Sequence, residues 1–77
     1  MRTFEISTII GDRKKSLTVQ EESIPDSYLI TSGQKFVSRI YRGNDGNWKT
    51  YEVSDLSPAD INSIGTEIEA FQEKHSG

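Results

Sequence analysis

Apolar and polar residues alternate with a period of two along the first part of the chain. Phe4, Ile6, Thr8 and Ile10 are interleaved with Thr3, Glu5 and Ser7, the pattern of a strand with one dry face. Gly11-Asp12-Arg13-Lys14-Lys15 then reads as a polar turn, and Leu17 and Val19 alternate with Ser16, Thr18 and Gln20 in a second strand. Glu21 to Ser27 is a connector, in which Pro25 holds Ile24 extended. A short β-prone run at Tyr28–Thr31 precedes Ser32-Gly33, and two longer runs follow at Gln34–Arg42 and Asn47–Val53. The predicted strands cover about 2–10, 16–21, 28–31, 34–42 and 47–53.

After Val53 the period changes. Ile61, Ile64, Ile68 and Phe71 recur at spacings of three and four, a narrow apolar stripe that predicts a helix over about 58–74. Its start is marked locally. Ser57 is an N-cap, Pro58 sits at the first helical position where its missing N–H costs nothing, and Asp60 can reach back as in a capping box. Leu56 precedes the cap and can act as a hydrophobic staple against Ile61. Gly65 lies at the edge of the stripe and costs roughly 1 kcal/mol of helix propensity against alanine. On a structural reading it lets the helix approach a bulky sheet residue; on a functional one it lines a groove. The expected fold is α+β and two-layered, one domain over residues 1–77. An antiparallel β-meander of four or five strands carries the single C-terminal helix on one face.

Which side chains face water depends on the turn Gly43-Asn44-Asp45-Gly46. A loop of even length puts Ile40 on one face with Tyr51, and Phe36 with Val53, and sets Arg39 opposite Glu52. Because this gathers four apolar residues toward the helix, it is the favoured register. Val37, Arg39, Tyr41, Trp48 and Thr50 then point to the face that no helix covers. A three-residue loop would shift the register by one and carry Trp48 into the core with Ile40.

Composition narrows the function. Only 32% of the 77 residues are hydrophobic, so the large apolar side chains are committed to the core and little is left for a deep cavity. There is no cysteine, which removes disulfides and thiolate metal sites. No run is apolar enough for a signal peptide or membrane span, and the default compartment is the cytoplasm. The net charge of −3 is uneven: −1 over residues 1–33, +3 over 34–51 and −5 over 52–77. The basic hairpin and the acidic C-terminal segment can neutralise each other across the fold, or the basic sheet surface can meet an anionic partner.

Candidate chemistry is sparse. The one histidine, His75, lies in a terminal Lys-His-Ser-Gly tail and is a poor anchor for a catalytic dyad. Glu21-Glu22 read as a solvated pair, and Asn44-Asp45-Gly46-Asn47 lacks the alternating acids of a calcium loop. No phosphate loop, dinucleotide fingerprint or metal-ligand spacing occurs, so no cofactor or metal is expected and the chain is read as non-catalytic. The expected function is a small binding or protein–protein interaction module, with self-association as one form. Its contact would be the patch of Val37, Arg39, Tyr41, Trp48 and Thr50, residue types that include the usual interaction anchors. The alternative is a nucleic-acid-binding accessory protein using the same face with Lys35, Arg42 and Lys49. Against it stand a pI near 5.0 and the lack of any RNP-type, KH-type or helix-turn-helix pattern.

Overall fold

A computed structural model describes residues 2–51 and 56–75. Five strands follow in chain order: β1 (Thr3–Ile10), β2 (Arg13–Glu21), β3 (Ser27–Ser32), β4 (Lys35–Arg42) and β5 (Trp48–Thr50). Among the described residues one helix, α1 (Pro58–His75), follows the strands. Each strand pairs antiparallel with its sequence neighbour, so the sheet order is β1-β2-β3-β4-β5, and α1 packs on one face. The α+β meander read from the pattern is the fold.

The turns explain the register. Ile10 faces Arg13 across a two-residue loop, Gly11-Asp12, both with positive φ. This lets β2 begin at Arg13, three residues earlier than the charged run suggests. Ser32 faces Lys35 across Gly33-Gln34. Between β2 and β3, the Ser27 amide donates to the Ile24 carbonyl at 3.2 Å, with Pro25 and Asp26 as the central residues of the turn. Asp26 adopts a φ of 62° there, the left-handed value that the third position of a type II turn demands.

The core is one cluster. Phe4, Ile6, Leu17, Val19, Tyr28, Ile30 and Ile40 line the dry face of the sheet, and Ile61, Ile64 and Ile68 face them from α1. Fully burying each aliphatic side chain contributes roughly 1.5–3 kcal/mol, so these three isoleucines are a large part of what docks the helix. The closest backbone approaches of α1 are to β1 and β5, the two outer strands, so the sheet curls around the helix. At the β1 side the rings of Phe4 and Phe71 stack with centroids 3.9 Å apart and planes 2° from parallel. The helix start is the predicted capping box: the Asp60 amide donates to Ser57 Oγ and the Ser57 amide to Asp60 Oδ2, both at 3.2 Å. Leu56, just before the cap, packs against the core.

At the β5 side, Gly65 is where helix and sheet come closest. A Cβ placed on Gly65 would lie 2.3 Å from three atoms of the Trp48 ring, far inside van der Waals contact. The glycine is therefore a structural necessity, and the bulky residue it admits is Trp48. Gly65→Ala is expected to lower the unfolding free energy by about 2 kcal/mol, overpacking of about 3 outweighing a propensity gain of about 1. Chemical denaturation checks this; an alanine variant as stable as the parent would mean that the ring does not sit against the helix.

Candidate functional site

The β4–β5 hairpin holds a three-residue loop, Asn44-Asp45-Gly46. The Gly46 amide donates to the Gly43 carbonyl at 2.9 Å, and the Gly43 amide to the Asn47 carbonyl at 2.8 Å. Gly46 has a φ of 84°, which a residue with a Cβ adopts only under strain. Asp45 braces the loop: its carboxylate accepts the Asn47 amide at 3.0 Å and the Asn47 side-chain amide at 3.2 Å, and Lys49 Nζ lies 3.5 Å away. The hydrogen bond from the Asn47 backbone, aided by Lys49, holds the Asp45 carboxyl below its ordinary range.

This odd loop corrects the expected register. Ile40 faces Thr50, Tyr41 faces Lys49 and Arg42 faces Trp48. Trp48 and Thr50 thus belong to the helix face with Ile40, and the expected patch of five residues does not assemble. Arg39 and Tyr41 remain on the helix-free face. Val37 packs against the core beside an irregularity in the β3–β4 ladder, where Ile30 faces Ser38 but Thr31 faces Phe36. Phe36 and Tyr51, expected on the core side, are exposed at 56% and 47%. The expected partners Val53 and Glu52 lie outside the described residues.

Trp48 and Arg42 are used internally. Glu69 on α1 accepts a hydrogen bond from Trp48 Nε1 at 3.2 Å and another from Arg42 Nη1 at 3.0 Å. The Arg42 guanidinium lies 5.8 Å from the centre of the Trp48 ring, and the Tyr28 ring is 5.8 Å from it on the core side. Gln72 Nε2 donates to the Tyr28 hydroxyl. An aromatic–arginine group that reads as a contact surface in the sequence is thus a clamp between β5 and α1. Burial raises the Tyr28 phenol above its usual 10.0, with nearby carboxylates adding to the shift and the Gln72 hydrogen bond opposing it.

The helix-free face collects another set. Arg39 Nε lies 3.0 Å from Glu22 Oε1, and Ser27 Oγ donates to the same oxygen at 3.1 Å. Beside them the Tyr41 and Tyr51 rings meet at 4.6 Å with a tilt of 44°. Ile24 and Tyr51 border a cavity of about 300 Å³ whose remaining lining includes Glu22, Ser27 and Arg39. Four large hydrophobic side chains are exposed among the described residues: Ile9, Ile24, Phe36 and Tyr51. The strand pairing puts Ile9, Phe36 and Tyr51 on this face, and the shared cavity puts Ile24 beside it. Sequence reasoning missed Tyr51, Ile24 and Phe36 as surface residues, although Gly65 held the clue. A glycine on an apolar stripe needs a bulky ring opposite it, and Trp48 is the largest side chain in either β4 or β5.

Among the described residues, no group of three or more histidine or acidic side chains could hold a metal ion, and no helix is long and apolar enough to cross a membrane. No family model matches the chain, and no curated protein or solved structure matches it.

Two measurements test this arrangement. Trp48, the sole tryptophan, should emit at blue-shifted wavelengths in dilute protein and resist quenching by iodide; red-shifted, readily quenched emission would restore the even loop. For Tyr28 the folded-state pKa is the higher one, so its contribution to stability is complete below the unfolded value and disappears as pH rises through the folded value. Stability should therefore fall above about pH 10, and Tyr28→Phe should remove that part of the alkaline loss in urea titrations at several pH values.

Proposed function

We propose that the chain is a non-catalytic protein-interaction module that meets its partner with the helix-free face of the sheet, centred on Tyr51, Tyr41, Arg39 and Ile24. One observation carries this reading: of the large hydrophobic side chains left exposed among the described residues, Ile24 and Tyr51 border one cavity and Phe36 lies on the same face of the adjacent strand, on the side that α1 does not cover. Apolar surface kept in water at one face costs solubility and contributes nothing to the fold, which fits a surface that is covered in use. Tyrosine and arginine supply the residue types that dominate contact energy, and the Tyr41–Tyr51 pair presents a rigid, amphipathic ridge.

The charge pattern favours a protein partner over a polyanion. Arg39 lies against Glu22, Arg42 against Glu69 and Asp26, and Lys49 against Asp45. A phosphate backbone would have to displace these carboxylates, whereas a neutral apolar surface can leave them as a polar rim. The cytoplasm is the compartment this reading assigns, since a cysteine-free domain held by packing alone needs no oxidising environment to fold.

The test compares the parent with an Ile24→Glu/Tyr51→Glu double variant by affinity capture from extract of the source cells. Both side chains are exposed, so the variant should keep the parent's circular dichroism and melting midpoint. The expected result is a protein captured by the parent and reduced at least about tenfold in the variant, as loss of a hot spot predicts. Equal capture by both proteins would rule out this face. Retention of the parent on a nucleic-acid column at roughly 50 mM salt, lost by 200 mM, would replace the protein partner with a polyanion.

A further inference from the structure

The two edges of the sheet are unequal. β5 has three residues, while β1 has eight and pairs with β2 in unbroken register. Among the described residues no strand flanks β1 on its outer side. The closing pair Ile10–Arg13 and the bond from the Glu21 amide to the Arg2 carbonyl set the ladder, so the even residues of β1 bond to β2. The N–H and C=O groups of Thr3, Glu5, Ser7 and Ile9 therefore point outward from the edge. Of the devices that blunt such an edge, Thr3–Ile10 has no proline, lysine or bulge and a single charge, Glu5, and five of its eight residues are β-branched. Ile9 is exposed at 63%.

Beside this edge runs a trough with α1 as its other wall. Two cavities, of about 600 and 260 Å³, share Ser7 and Glu67 and together extend from Ile9 to Glu5. Lys14 and Lys74 balance Glu5 and Glu67 in its lining, so the trough is neutral and two copies of it do not repel by net charge.

We propose that the chain forms a homodimer in which β1 pairs antiparallel with β1 of a second copy about a two-fold axis at Ser7, joining the two sheets into one. The register follows from charge. A centre at Glu5 would set two carboxylates face to face, and a centre at Ile6 would put Glu5 opposite serine. The centre at Ser7 sets Glu5 opposite Ile9 of the second copy, whose β2 neighbour is Lys14, so each Glu5 has a lysine of the other copy one strand further on. The same register places Phe4 opposite Ile10 and Ile6 opposite Thr8 on the helix side, and it makes about six new backbone hydrogen bonds. The contact is the outer edge of β1, across the sheet from Tyr51 and Ile24.

Sedimentation equilibrium between roughly 10 and 500 µM should show a concentration-dependent monomer–dimer equilibrium. Glu5→Lys should weaken the dimer roughly tenfold by facing Lys14 of the other copy, Lys14→Glu should do the same, and the double exchange should restore it. Amide hydrogen exchange supplies the register: the amides of Glu5, Ser7 and Ile9 should be slow at high concentration and fast on dilution. A monomer throughout the range overturns the proposal, as does a dimer in which those three amides stay fast. Loss of the dimer in Ile24→Glu/Tyr51→Glu, with Glu5→Lys silent, also overturns it and moves the contact to the helix-free face.

Discussion

The contact between the Trp48 ring and the bare backbone at Gly65 determines how the rest of the chain can pack. The indole is too large to sit under an ordinary helix residue, so α1 reaches the sheet only where a side chain is missing. Once seated, the ring fixes the azimuth of the helix. Ile61, Ile64 and Ile68 turn toward the strands, Glu69 comes within hydrogen-bonding distance of the indole nitrogen, and Gln72 reaches Tyr28. At the far side of the sheet the stacked rings of Phe4 and Phe71 act as a second point of attachment. A helix held at β1 and at β5 obliges the sheet between them to curl, and so one five-stranded layer encloses a core with a single helix.

That arrangement also decides what is left outside. The largest aromatic side chain and one of the arginines are spent on the clamp, with the Arg42 guanidinium lying over the indole it helps to hold. The remaining aromatic pair, Tyr41 and Tyr51, falls on the opposite face because strand parity allows nothing else. The proposed contact surface is thus a by-product of helix docking: it consists of the side chains the core did not take.

Much of the fold was legible because its signals are local. Alternation marked β1 and β2, a β-prone run marked β4, and Ser57, Pro58 and Asp60 fixed the first turn of α1 to the residue. The extension of β2 to Arg13 was hidden because a run of three cations looks like a loop, although long cationic side chains are well tolerated on the wet end of a strand. The candidate site was less legible, since it rests on one residue of loop length. Gly43-Asn44-Asp45-Gly46 satisfies a two- or four-residue turn as easily as the three-residue loop that forms. The choice is made by Asp45 bracing Asn47 and by the room that Gly65 leaves for Trp48, a contact between residues 17 positions apart. Local patterning cannot see such a constraint. The displaced Val37 and exposed Phe36 have the same origin, an irregular step between β3 and β4 that no turn residue announces.

Strand order adds a consequence for how the protein is made. Every strand pairs only with its neighbour in sequence, so each can be laid down as soon as it leaves the ribosome, against the one before it. The dry face that results, from Phe4 through Ile40, stays uncovered until α1, which follows the strands in the chain, packs onto it. The segments that form the sheet precede the one that covers it, so its dry face is exposed for as long as α1 has not docked.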